Sequence, residues 1–218
     1  QIVYLGASWA YWDSLGDDSV CGQLEAHLDR AHRFLKPVRC HPVRIDAASF
    51  PQMESYIATY LQSRYDLLVI NMNLAEAYSI FPNSAPPSTE AGAAALKEQV
   101  AKLMSQLSAA HTKLLFVWAY DPEDLSDVEN LMERQDNPGR RYFPSSLRDN
   151  HDKGTVVMMN AVRPLGVFQY DTYDDFQRYE RERAVPPLYG SDDSHMTPRG
   201  TALVAELLAR YIESERRI

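Results

Sequence analysis

The sequence predicts a single α/β domain built on a mainly parallel sheet. Short apolar runs with the length of buried strands alternate along the chain with segments of helical periodicity. The 218 residues are 45% hydrophobic and 24% charged, which suits one globular domain with a sizeable core. Polar residues directly follow several of the apolar runs, as they do where a site lies at the carboxyl ends of parallel strands. We therefore expect one domain over residues 1–218.

Five segments are predicted to be strands. Residues 67–70, Leu-Leu-Val-Ile, form the clearest buried run and are followed at once by polar residues. The other four are residues 2–5, the segment around Val43 and Ile45, residues 114–117 and residues 167–170. Residues 156–159 fit a helix or a strand equally well, because short apolar runs do not distinguish the two.

Helices are predicted between these strands. Residues 24–34 carry helix formers, and apolar residues at helical spacing occupy 56–61. A longer apolar stripe at i, i+4, i+7 and i+11 consists of Leu96, Val100, Leu103 and Leu107. The last helix has the best-marked start, since Thr197 can cap it and Pro198 suits its first turn. Its predicted apolar face consists of Leu203, Val204, Leu207, Leu208 and Tyr211.

One segment does not fit the alternation of strands and helices. Residues 121–153 are polar and charged, and Pro138-Gly139 interrupts them. We expect an insertion or lid there rather than part of the core. The charged residues 174–175 and 178–183 are predicted to lie on solvated faces.

Composition excludes several functions. The net charge of −8 repels polyanions, so binding to nucleic-acid backbones is not expected. No apolar run approaches the roughly 20 residues that span a bilayer. The two cysteines, Cys21 and Cys40, show no zinc-ligand spacing, and two readings stay open for them: a disulfide or a pair of buried thiols. No metal or organic cofactor is expected.

Residues with catalytic chemistry lie near the two ends of the chain. Ser8 follows the first predicted strand, where a serine hydroxyl is exposed and a nearby base makes it nucleophilic. His195 precedes the last helix, and Asp192 lies three residues before it. A carboxylate at that spacing can turn back to fix the tautomer of the imidazole and stabilise its protonated form. Asp193 competes for this role, but the spacing favours Asp192. Together these residues predict a Ser-His-Asp acyl-transfer site.

The same segments resemble the SGNH (GDSL-type) hydrolase family. The first block of that family is similar to "IVYLGASWAYWDSL", its third to the strand "YDLLVINMN", and its last to "SDDSHMTPRGTALVAELL". The resemblance implies a flavodoxin-like, three-layer α/β/α sandwich with a mainly parallel five-stranded sheet. It also implies that Ser8 is the nucleophile, His195 the general base and Asp192 its orienting carboxylate. Small acyl esters are the implied substrates, with acetylated carbohydrate among them.

The oxyanion hole departs from the pattern of the family. The Gly-Asp-Ser of its first block reads Gly-Ala-Ser at residues 6–8, and the Gly-x-Asn-Asp of its third block is not recognisable. Backbone amides of Ala48 or Ser49 can stand where the family uses a glycine, because only an N–H is required. Asn71 or Asn73 can supply a further donor. These residues and the amide of Ser8 are the predicted oxyanion and substrate contacts.

An aromatic cluster follows the predicted nucleophile. Trp9, Tyr11 and Trp12 either pack in the core or form a platform on which a sugar ring stacks. The Arg140-Arg141 pair, in the predicted insertion, either lies in a surface loop or meets an acidic glycan. We count Trp9 among the candidate substrate contacts.

Two functions of different classes are consistent with these residues. The first is a serine-dependent acyl-ester hydrolase or O-acyltransferase that acts on carbohydrate such as exopolysaccharide. The second is a catalytically degenerate domain of this type that binds glycan or a partner protein. Because a strand begins immediately after Gln1, we also expect an upstream signal or membrane anchor, and hence a periplasmic or secreted protein. The oligomeric state is not predicted.

Overall fold

The computed structural model describes residues 1–6, 19–31, 34, 36–44, 57–59, 64–72, 89–118, 154–182, 188 and 196–215. Its five strands are β1 (Ile2–Gly6), β2 (Cys40–Arg44), β3 (Leu67–Met72), β4 (Lys113–Trp118) and β5 (Phe168–Asp171). They form one sheet in the order β2-β1-β3-β4-β5, and every neighbouring pair is parallel. This order makes the sheet doubly wound, with its switch point between β1 and β3.

The helices are α1 (Val20–Arg30), α2 (Thr89–Ala110), α3 (Val156–Val162), α4 (Tyr173–Glu182) and α5 (Pro198–Ser214). Helices α1, α4 and α5 share a core with one face of the sheet, and α2 and α3 share a core with the other. Alternate residues of β1 follow the same division, since Tyr4 belongs to the first core and Leu5 to the second. The predicted three-layer α/β/α fold with a parallel five-stranded sheet is therefore confirmed.

Most strand and helix predictions agree with the structure within a few residues. All four residues of the apolar stripe in α2 are fully buried, and Thr197 caps α5 as predicted. The ambiguous segment at 156–159 is helical, because Met158 and Val162 lie one turn apart and both face the core. Ile57 is buried in the helical residues 57–59, and the rest of that predicted helix lies outside the described residues.

Two predictions need correction. The first helix begins at Val20, four residues earlier than expected, because the hydroxyl of Ser19 accepts a hydrogen bond from the Gly22 amide and caps it. The second correction concerns residues 173–182, which form α4 although the sequence shows only a charged segment there. Asp174 is exposed as predicted, but Asp175 is half-buried and accepts a hydrogen bond from the Tyr170 hydroxyl at 2.6 Å.

The two cysteines form a disulfide that joins α1 to β2. Cys21 and Cys40 have Cα atoms 5.1 Å apart and are 3% and 7% exposed. The same junction carries two backbone contacts: Glu25 accepts from the Cys40 amide at 2.6 Å, and Asp29 accepts from the Val38 amide at 2.7 Å. The open question about the two thiols is thus settled in favour of a disulfide, which ties edge strand β2 to the helix that covers the sheet.

Candidate active site

Most of the predicted site residues lie outside the described part of the chain. They are Ser8, Trp9, Ala48, Ser49, Asn73, Asp192 and His195, and the predicted insertion at 121–153 falls outside it too. The structure does describe Asn71 and the elements to which the other segments attach. Strand β1 ends at Gly6, two residues before Ser8, and β3 ends at Met72, one residue before Asn73. These two strands are parallel neighbours, with Leu5 opposite Ile70, so they end at the same edge of the sheet.

The direction of α5 places its first residue toward that same edge. Near its carboxyl end, Ile212 lines a cavity together with Ile2 and Leu67, the first residues of β1 and β3. The helix has 17 residues and is therefore about 25 Å long, slightly longer than the six-residue strand β3. Pro198, at the other end of the helix, consequently lies toward the carboxyl edge of the sheet. His195 precedes Pro198 by only three residues.

Leu188 is held against the start of α5 by two hydrogen bonds. The Thr197 amide donates to the Leu188 carbonyl at 2.9 Å, and the Thr197 hydroxyl donates to the same oxygen at 3.2 Å. That hydroxyl also accepts from the Gly200 amide at 3.2 Å, which is the helix cap. The side chains of Leu188 and Met196 are buried in the first core, at 0% and 1% exposure. The backbone of Leu188 is therefore fixed beside the first turn of α5.

Gly200 makes the close approach of the Leu188 carbonyl to α5 sterically possible. A Cβ atom on Gly200 would lie 2.2 Å from the Leu188 carbonyl oxygen, closer than any real contact. An alanine in a helix normally stabilises a protein by about 0.5–1 kcal/mol over glycine. Here we expect Gly200→Ala to have the opposite sign and to lower the free energy of unfolding by about 1–3 kcal/mol. Urea denaturation of the two proteins measures the difference, and an unchanged or more stable variant would contradict the contact.

Asn71 lies beneath the carboxyl edge, in the same face of the sheet as Tyr4. It is 1% exposed, and its Nδ2 donates to the Tyr4 hydroxyl, which belongs to a fully buried side chain. Within the described part of the chain, Oδ1 of Asn71 has no hydrogen-bond partner. Because a buried amide oxygen without a donor costs free energy, this atom marks a polar position in an otherwise apolar core. The side-chain N–H groups of Asn71 face Tyr4 rather than the solvent.

The sequence did not reveal three residues whose contacts lie near the carboxyl edge of the sheet: Tyr4, Leu188 and Gly200. In the sequence, Tyr4 is one residue of a predicted apolar strand, and its hydroxyl indicates no particular partner, although a buried tyrosine hydroxyl normally needs one. It lies 67 residues from Asn71 in sequence, so no local pattern connects them. Leu188 and Gly200 were missed for a different reason: their roles are backbone contacts that do not depend on residue chemistry.

A second polar group lies beside the last strand. The Tyr170 hydroxyl donates to Asp175, and its ring stacks on Tyr211 with 5.1 Å between centroids. Burial, reinforced by the hydrogen bond to Asp175, raises the pKa of Tyr170 far above its usual range. The hydroxyl therefore remains protonated and keeps donating to Asp175, which holds α4 against β5.

The described residues contain neither a metal-ligand cluster nor a membrane-spanning helix. In the ranges that the structure describes, no three His, Cys, Asp or Glu side chains are grouped so that they could hold a metal ion. None of the helices described has both the length and the apolar character needed to cross a bilayer.

The fold is shared with esterases of known structure. An acetyl xylan esterase, AlAXEase, superimposes with a TM-score of 0.66 at 11% identity, over 97% of this chain and 98% of that one. A lipase/acylhydrolase from Enterococcus faecalis gives 0.63 at 15% identity, over 98% and 95% of the two chains. A psychrotrophic esterase, EstA from Pseudoalteromonas sp., gives 0.63 at 12% identity, over 100% and 98%. The chain thus has the fold of SGNH-type esterases, as its resemblance to that family implies. No family model and no curated protein matches the sequence significantly.

Proposed function

We propose that this protein is a serine-dependent acyl-ester hydrolase or O-acyltransferase, with Ser8 as nucleophile, His195 as general base and Asp192 as the carboxylate that orients His195. The observation that carries the proposal is the convergence of the attachment points. Strand β1, which precedes Ser8, ends toward the same edge of the sheet at which α5, which follows His195, begins. Ser8 and His195 are far apart in sequence. The esterases with the same fold support the reaction class.

The chemistry proceeds in two half-reactions. The Ser8 hydroxyl oxygen attacks the ester carbonyl carbon while His195 takes its proton, and a tetrahedral oxyanion forms. His195 then gives the proton to the leaving alcohol, the ester C–O bond breaks, and the acyl group stays on Ser8. A second nucleophile, water or a sugar hydroxyl, loses its proton to His195 and attacks the acyl carbon. The bond between that carbon and the Ser8 oxygen then breaks, His195 returns the proton to Ser8, and the acyl group leaves on the second nucleophile. Water gives hydrolysis, and a sugar hydroxyl gives acyl transfer.

The oxyanion needs donors that are already in place before the reaction. We assign this role to the amide of Ser8, to an amide of Ala48 or Ser49, and to Asn73 in preference to Asn71. The preference follows from the hydrogen bond between Asn71 Nδ2 and Tyr4, which engages the donor group of Asn71 inside the core. Asn71 and Tyr4 then support the edge from below, while Trp9 provides a flat surface for substrate. Loss of one oxyanion donor typically costs about 10²–10³ in turnover.

Acetylated carbohydrate is the substrate class we favour. AlAXEase is an acetyl xylan esterase, and another protein of the same fold, Axe2 from Geobacillus, is an acetyl-xylooligosaccharide esterase. We further propose that the protein works outside the cytoplasm, in the periplasm or the exterior. The Cys21–Cys40 disulfide supports this location, because such bonds persist in oxidising compartments.

The proposal can be tested with a fluorophosphonate probe, which reacts with activated serine hydroxyls and not with ordinary ones. We expect the wild-type protein to gain one adduct, which peptide mapping by mass spectrometry assigns to the peptide containing Ser8. Pretreatment with p-nitrophenyl acetate should slow the labelling, since both reagents use the same hydroxyl. A folded protein that stays unlabelled would favour the glycan- or partner-binding alternative, and a label on another serine would refute the assignment of Ser8.

A further inference from the structure

A charged groove separates α4 from α5. Its volume is about 330 Å³, and its walls carry three arginines and two carboxylates: Arg178, Arg199, Arg210, Asp175 and Glu206. Among the residues that the structure describes, three positive charges against two negative ones leave this groove with a net charge of +1, whereas the chain as a whole carries −8. A locally positive surface on an acidic protein concentrates anions there.

The arginines of the groove differ in their partners. Arg178 forms an ion pair with Asp175, three residues before it, and Arg210 forms one with Glu206 at 3.5 Å. Arg199 has no such partner: among the residues that the structure describes, no carboxylate lies within ion-pair distance of its guanidinium. The excess positive charge of the groove is therefore located on Arg199.

A tyrosine holds the guanidinium of Arg199 in place. Its Nε donates to the Tyr179 hydroxyl, and its central carbon lies 5.6 Å from the centroid of the Tyr179 ring. Of the five N–H donors of an arginine, this arrangement uses one and leaves the four on the two Nη atoms. Two Nη atoms side by side match the two oxygens of a carboxylate in a bidentate contact.

The positive charge of Arg199 does not stabilise α5. It is the second residue of α5, where the helix dipole disfavours a positive charge. It lies at the end of α5 that faces the carboxyl edge of the sheet, four residues after the proposed base His195. The rest of the groove extends from there along α5 to Arg210, three turns away. An extended ligand bound at the proposed catalytic edge can thus continue into the groove.

We infer that the α4–α5 groove is a binding subsite for a carboxylate-bearing glycan, with Arg199 as the residue that binds the uronate carboxylate. The inference rests on the proposed function, which places the acyl-ester chemistry at the adjoining edge, and it narrows the substrate class to acylated acidic polysaccharide. Arg178 and Arg210 are each paired with their own carboxylate, so the sugars that follow lie along a part of the groove with little net charge.

Binding is measured by isothermal titration calorimetry with tetragalacturonic acid, which carries no ester and is not turned over. We expect the wild type to bind this probe and to lose affinity when NaCl is raised from 50 to 300 mM. Arg199→Gln should weaken binding at least about tenfold, as expected for a lost charge-assisted bidentate contact. Arg199→Lys keeps the charge without the fork and should give an intermediate loss. Arg163→Gln, a matched loss of charge next to α3 on the other face of the sheet, should leave the affinity unchanged.

Two further probes define the ligand class. Xylotetraose, a neutral sugar of the same length, should bind more weakly than tetragalacturonic acid to the wild type and equally to the wild type and Arg199→Gln. A short dextran sulfate tests the sulfate alternative. Dextran sulfate binding without binding of tetragalacturonic acid would overturn the carboxylate assignment, and so would equal affinities of wild type and Arg199→Gln for tetragalacturonic acid.

Hydrolysis of p-nitrophenyl acetate, measured on the same wild-type preparation, separates this inference from the proposed function. Hydrolysis without binding of tetragalacturonic acid would overturn the subsite and leave the esterase intact. Binding that depends on Arg199 in a protein without esterase activity would uphold the subsite and refute the catalytic proposal.

Discussion

Replacing Ser8 by alanine is expected to lower kcat/KM for p-nitrophenyl acetate by about 10³- to 10⁶-fold, because the attacking oxygen is removed while the rest of the site remains. His195→Ala should cause a loss of similar size, since residues that act as one catalytic unit are not additive. The double variant should therefore be hardly slower than either single variant. Initial rates of p-nitrophenol release measure all three, and circular dichroism establishes that the variants remain folded.

The orienting carboxylate provides a matched control within the same segment. Asp192 and Asp193 are adjacent, and the proposal assigns the role to Asp192 alone. Asp192→Asn should lower kcat by about 10⁴-fold, as expected when the imidazole loses the carboxylate that fixes its tautomer. Asp193→Asn has the same change of charge and should leave most of the activity. A larger loss in Asp193→Asn would move the triad by one residue, and full activity in Ser8→Ala would exclude Ser8 as the nucleophile.

Removal of the disulfide should produce the largest loss of stability. The bridge closes a loop of 19 residues in sequence separation, and loop-closure entropy then predicts a stabilisation of about 3 kcal/mol. In Cys21→Ala/Cys40→Ala, two small side chains also replace buried sulfur atoms in the core beneath α1. We expect the free energy of unfolding from urea denaturation to fall by this amount or slightly more.

Reduction of the wild-type protein is the internal control for this result. Denaturation of the wild type in dithiothreitol removes the bridge without changing the sequence, so its loss of stability should account for most of that in the double variant. The contacts of Glu25 and Asp29 with the backbone of residues 38–40 remain in both cases, and the α1–β2 junction should therefore still form. Equal stability of oxidised wild type and double variant would show that the bridge does not constrain the unfolded chain.

The sequence was sufficient for the parts of the fold that depend on local periodicity. The apolar run at 67–70 and the stripe from Leu96 to Leu107 identified a strand and a helix, because a strand covered on both faces is a short continuous apolar run and the buried face of a helix repeats every 3.6 residues. Thr197 and Pro198 located the start of α5 for the same reason, since a helix cap involves only neighbouring residues. The two terminal blocks also indicated the family fold, which the superposition with esterase structures confirms.

Helix α4 shows where local patterns fail. It is strongly polar, and within the part whose side chains the structure describes, only Phe176 is fully buried. Its position depends on contacts with distant elements: Asp175 with Tyr170 of β5, and Tyr179 with Arg199 of α5. A charged segment of ten residues, in which Phe176 and two tyrosines are the hydrophobic residues, does not distinguish a packed helix from a solvated loop.

For the candidate site, too, some features follow from the sequence and others only from packing in three dimensions. The sequence is enough to predict an acyl-transfer site, because a nucleophile, a base and a carboxylate are recognised by their chemistry and by the three-residue spacing of Asp192 and His195. Three-dimensional packing was needed to show that β1 ends and α5 begins toward the same edge of the sheet, that Cys21 bonds Cys40, and that the amide of Asn71 faces Tyr4. Arg199 became a candidate in the same way, when its guanidinium was found beside Tyr179 with no carboxylate of the described residues within ion-pair distance. The disulfide and the contacts of Asn71 with Tyr4 and of Arg199 with Tyr179 join residues 19 to 67 positions apart, and their free energy depends on packing in three dimensions that no short window of sequence contains.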